Sequence, residues 1–81
     1  MAMDAKTLRE TVIKPKLTSV FGMVIASSLI TKATTAAMTI NGERDKARAM
    51  VSAICNDPRV LSMWGPAQAS KQGHEWIAQV S

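Results

Sequence analysis

Four breaks divide this chain into segments, and within each segment the apolar residues recur at helical spacing. The breaks are Lys14-Pro15, Thr39-Ile40-Asn41-Gly42, Asn56-Asp57-Pro58 and Gly65-Pro66. Proline has no N–H and drives the residue before it out of the α region, while Gly and Asn tolerate the conformations in which helices end. Between the breaks the pattern is i, i+3, i+4, i+7, and it lacks the alternation a half-buried strand requires. The spacing therefore predicts an all-α fold. We expect a small compact helical domain of three principal helices plus one or two short helices, with residues 1–81 forming a single domain.

The residue types agree with that reading. The aromatic residues are Phe21, Trp64 and Trp76, with no tyrosine, so the core has to be built from Ala, Val, Ile, Leu and six Met. Small aliphatic side chains suit close helix packing better than a sheet, which favours aromatic and β-branched residues. A chain this short buries only about 60% of the surface its unfolded form exposes, so its margin of stability is thin.

Taken in order, Asp4 is placed to cap a first helix, and Thr7-Leu8-Arg9-Glu10 has the form of a capping box. Ala5, Leu8, Val12 and Ile13 share a face, and Pro15 is expected to end this helix near Ile13 and to open the next. A second helix over about 16–37 places Leu17, Val20, Phe21, Val24, Ile25, Ser28, Leu29, Ala33 and Ala36 at a common period. Its Thr, Ser, Val and Ile content gives poor intrinsic propensity, so packing has to hold it. Gly22, Ala26, Ser27 and Ala33 would let a neighbouring helix approach closely. A strand pair divided near residues 26–28 is the competing reading.

Asn41 is the expected N-cap of a third helix, 42–56, with Glu43 in its first turn. Its inner stripe is Ala47, Met50, Val51, Ile54 and Cys55, and Arg44, Asp45, Lys46, Arg48 and Ser52 face water. Asp57 and Pro58 open a short helix, 58–63, with Val60, Leu61 and Trp64 sealing the core. The last helix, 66–80, turns Ala69, Gly73, Trp76, Ile77 and Val80 inward.

Little in the sequence carries chemistry. Cys55 is the only cysteine, which excludes an internal disulfide, favours a reducing cytoplasm and fits a small buried residue. His74 is the only histidine, so a structural zinc site has no ligand set. A catalytic triad would need His74 facing Cys55 or a serine, aligned by a carboxylate, and no motif supports one. The four glycines have neither Walker-loop nor dinucleotide spacing. We therefore expect no enzyme activity, no cofactor and no metal.

The formal net charge is +4, and residues 1–16 hold Lys6, Arg9, Lys14 and Lys16 against Asp4 and Glu10. Such an end can meet nucleic acid, an acidic partner or anionic lipid. Nucleic acid is weakly supported: the turn at 56–58 has helix-turn-helix spacing, yet Arg59 is the only basic side chain on the short helix that follows. Residues 17–31 carry no charge and mimic a signal peptide or anchor. Asp4 and Glu10 lie where the leader should be positive, and Thr18, Ser19, Ser27 and Ser28 interrupt the stretch, so a buried helix is expected and a membrane role is disfavoured. The segment Leu8-Arg9-Glu10-Thr11-Val12-Ile13-Lys14-Pro15 resembles the start of some phage-associated proteins and implies no functional residue.

An uncharged helix in so small a domain leaves apolar surface to cover. The expected function is thus a non-catalytic helical interaction or assembly module that binds a protein partner or a second copy. The expected partner-binding residues are Phe21, Val24, Ile25, Trp64 and Trp76. Met23, Met38, Met50 and Met63 would suit an adaptable contact. A small nucleic-acid-binding protein or a membrane-surface helical protein is the alternative.

Overall fold

A computed structural model describes residues 3–80, and they form an all-α domain with no strand among them. Four helices follow one another: α1 over residues 5–21, α2 over Met23–Ala37, α3 over Glu43–Cys55 and α4 over Pro58–Ala78. Helix α3 lies between α2 and α4, and α1 packs on α2 and touches α3 with its first turn. The core is Leu8, Ile13 and Leu17 of α1, Ala26, Leu29 and Ala33 of α2, Ala47, Met50 and Ile54 of α3, and Val60, Ala69 and Trp76 of α4.

The start of α1 follows the sequence in part. Asp4 caps it, its carboxylate accepting from the Thr7 N–H at 2.6 Å. That hydrogen bonding holds the Asp4 carboxyl below its ordinary range. The capping box does not form: Thr7 lies inside the helix, and Glu10 pairs with Arg9 and Lys14. The Ala5 N–H instead donates to Glu43 Oε1 of α3 at 3.0 Å. Two donors that a helix start leaves open are thereby satisfied, one locally and one from across the domain.

Pro15 does not end the first helix. Residues 9–13 widen into a π turn in which the Lys14 N–H reaches the Arg9 carbonyl. In a regular helix the Pro15 ring would press on the carbonyl four residues earlier. The inserted residue shifts the ladder, and Pro15 falls at the start of the α-helical stretch Lys14–Phe21, where its missing donor is harmless. The buried face follows the same shift: the step from Leu8 to Ile13 is five residues, and regular spacing resumes at Leu17.

The break expected at Pro15 falls at Gly22. Its φ of 84° and ψ of 166° close α1 and open α2 with no intervening loop. The Gly22 N–H donates to the Thr18 carbonyl, and its own carbonyl accepts from Ala26, both at 3.0 Å. Space is not the reason for glycine here, since nothing lies within 4 Å of where a Cβ would be. The backbone conformation is, because it belongs almost wholly to glycine. Within α2 the buried stripe is Ala26, Leu29, Ala33 and Ala37, while Ser28 and Ala36 face outward.

Helix α3 has the expected inner stripe, but Gly42 rather than Asn41 stands at its N-cap and no side chain caps it. Helix α4 starts as expected: Asp57 caps it and Pro58 follows. At Gly65 (φ 80°, ψ 160°) its path breaks, dividing it into limbs of residues 58–64 and 66–78. The longer limb runs back along α3 at very close range. A Cβ built on Gly73 would stand 2.8 Å from Val51 Cγ1 and 3.4 Å from Cys55 Sγ, so only glycine fits without displacement.

Candidate functional site

The corners at Gly22 and Gly65 repeat one device. Each sets an aromatic residue at the end of one helical stretch, turns at a glycine and resumes at the next residue. The two aromatic residues meet: Phe21 and Trp64 have ring centroids 5.8 Å apart with planes tilted by 51°. Trp64 in turn lies on Trp76 at 6.2 Å and 57°. Tilted, offset rings at these separations favour the positive edge of one ring on the negative face of the next. The result is a column that rises from the core to the surface. Trp76 is 1% exposed at its base, and Trp64 and Phe21 are half-buried above it.

Around the top of this column lies uncovered apolar surface. Met23 is 74% exposed, Val24 85% and Met63 58%. Phe21, Ile25, Pro58, Arg59, Ser62 and Met63 line a shallow open groove of about 500 Å³. Of the five residues singled out from the sequence, Phe21 and Ile25 thus line the groove and Trp64 backs Phe21. Val24 projects beside them, and Trp76 supports the column from within the core. Met63 lines the groove too and Met23 is exposed at the start of α2, while Met50 is buried in α3 and Met38 lies at the far end of α2.

The edge of the groove is held by a polar cluster, of which only the cap at Asp57 was legible from residue types. The Asp57 carboxylate is 5% exposed and accepts from the Arg59 N–H at 2.9 Å, Arg59 Nε at 3.0 Å, Arg59 Nη2 at 3.1 Å and Lys32 Nζ at 3.1 Å. Arg59 also reaches Ser28 Oγ at 3.4 Å, tying α4 to α2. These hydrogen bonds, Arg59 first among them, hold the Asp57 carboxyl far below its ordinary range despite burial, which acts the other way. Arg59, the basic side chain on which a helix-turn-helix reading rested, is committed to this carboxylate.

Cys55 and His74 line a second groove, between α3 and α4. The half-buried thiol donates to the Ala69 carbonyl at 3.2 Å, and burial raises its pKa. A nucleophilic cysteine needs the opposite shift. Among the described residues no group of three or more His, Cys, Asp or Glu could hold a metal ion, and no helix is long and apolar enough to cross a membrane. Comparison with known protein families, curated proteins and solved structures finds no match to this chain.

Proposed function

We propose that this chain is a non-catalytic helical assembly module that self-associates through the corner formed by Gly22 and Gly65. The observation that carries this reading is a groove in which exposed Met63 lies with half-buried Phe21 and Ile25, beside the exposed Met23 and Val24 that follow Phe21 in the chain. Apolar surface gains about 25 cal/mol for each Å² removed from water, and aromatic anchors backed by a packed core lose little rotamer freedom on contact. Methionines at the rim adapt their shape to whatever faces them. A patch that is apolar and carries little charge can meet its own copy across a two-fold axis without juxtaposing like charges. The unpaired thiol fits a reducing compartment, in keeping with a cytoplasmic location.

Light scattering after size exclusion, at low and moderate salt, tests the reading. The expected result is twice the chain mass at high protein concentration, little altered by salt, and a single chain mass for Val24→Glu/Met63→Glu with an unchanged thermal melt. A monomer at every concentration and salt would sink it.

A further inference from the structure

We infer that the groove between α3 and α4 docks an amphipathic helix whose acidic residues lie against Arg44 and Arg48. This surface is separate from the aromatic corner, and the inference stands whether or not the chain self-associates. Its apolar floor is formed by Val51, Leu61 and Ile77, with the close helix contact at Gly73 beneath. Towards the start of α3 the floor continues past Ile77 and Ala78, and there Arg44, Arg48 and His74 form the rim. The groove is therefore amphipathic along its length, apolar in the middle and cationic at one end.

Arg9, Lys14, Lys32, Lys46 and Arg59 each lie within ion-pair distance of a carboxylate. Among the described residues Arg44 and Arg48 do not, nor do Lys6, Lys16 and Lys71, but of these five only the two arginines line this groove. They stand four residues apart on one face of α3, an arrangement in which like charges repel and weaken the helix. A carboxylate supplied from outside would relieve that repulsion.

Dimensions and chemistry select the occupant. From Arg44 to Cys55, α3 advances about 16 Å at 1.5 Å per residue, room for about three turns of a helix laid alongside. The groove is open along this length, whereas small-molecule sites enclose most of their ligand. Its lining has no Phe, Tyr or Trp, and its single ring, His74, stands on the rim, so the floor offers nucleobases no stacking platform. A helix that presents Leu-type side chains to the floor and Glu or Asp to the arginines meets both halves of the surface.

The experiment titrates the whole protein into three fluorescein-labelled probes and follows anisotropy. The first is a synthetic amphipathic helix of Leu, Ala and Gln with three Glu grouped at one end. The second carries Lys in place of each Glu, and the third is a mixed-sequence oligonucleotide. Saturable binding of the acidic peptide is expected, with little binding of the lysine peptide and weakening as salt rises. Arg44→Glu/Arg48→Glu should reduce affinity roughly tenfold or more, and Arg44→Ala/Arg48→Ala by less, both with melts close to the parent's. Lys16→Ser, exposed on α1 and away from both grooves, should leave binding unchanged. Equal binding of the two peptides, no saturation by the acidic one, an unaffected double variant, or binding of the oligonucleotide alone would each overturn the inference.

Discussion

The seam between α3 and α4 and the corner at Gly22 and Gly65 both depend on glycine, for opposite reasons. At the seam, Gly73 is helical and there is no room: Val51 and Cys55 occupy the space a side chain would need. At the corner there is room to spare, and glycine is required by a backbone angle. One glycine lets two helices close on each other. The others let the chain turn abruptly, which leaves the top of an aromatic column and its neighbours partly uncovered. Stability is thus concentrated at the seam and the core beneath it, and the corner keeps the surface available for contact.

The largest test of that division is Trp76→Ala. Trp76 belongs to both regions, being part of the core and the base of the column, and its loss should destabilise by about 3–5 kcal/mol. In a domain whose whole margin is about 5–15 kcal/mol, a urea titration should show a mostly unfolded or sharply weakened protein. A milder change would mean that the column is carried by the corner alone.

Asp57→Ala comes next, at about 2 kcal/mol, because it removes a cap and a buried acceptor while Lys32 and Arg59 can relax into water. Its pH dependence has a definite sign. The Asp57 carboxyl is depressed in the folded state, so its contribution is fully present above its ordinary value of 3.8 and is lost as pH falls below it. Melts of parent and variant should differ at neutral pH and converge in acid. A gap that widened in acid would contradict the assignment.

Gly73→Ala sharpens the contrast most directly. In an exposed helix this change gains about 1 kcal/mol, but here the clash with Val51 should turn it into a loss of about 1 kcal/mol or more. Val51→Ala should recover part of that loss in a double-mutant cycle. Smallest of all, Val24→Ser and Met63→Ser should each move stability by about 0.5 kcal/mol or less while lowering the mass measured by light scattering. Were either to unfold the chain, the corner would belong to the core.

The all-α architecture was legible because the apolar period and the stops at Asn41-Gly42, Asp57-Pro58 and Gly65-Pro66 agree with one another. Where the boundaries moved, two local signals had competed. Pro15 reads as a helix end, and a π turn accommodates it; the five-residue step from Leu8 to Ile13 was the trace of that turn in the sequence. Gly22 reads as a small interior residue because its special backbone angle leaves no mark on the side-chain pattern. Asn41 is a good cap by type, but Gly42 occupies its place, while Asp4 caps the first helix as expected without the box from Thr7 to Glu10. Phe21, Ile25 and Trp64 could be singled out from apolar faces alone. That Lys32 and Arg59 would converge on Asp57 could not, since Lys32 and Asp57 come together only when α2 meets the corner between α3 and α4.

One contact has a consequence for how this domain can be tethered. The Met3 N–H donates to the Gln79 carbonyl at 3.3 Å, so the two ends of the described chain lie side by side. Anything joined ahead of residue 3 and anything joined beyond residue 80 would leave from a single point. In an array the domain would therefore hang from its string as a pendant, with the corner at Gly22 and Gly65 turned toward a neighbour.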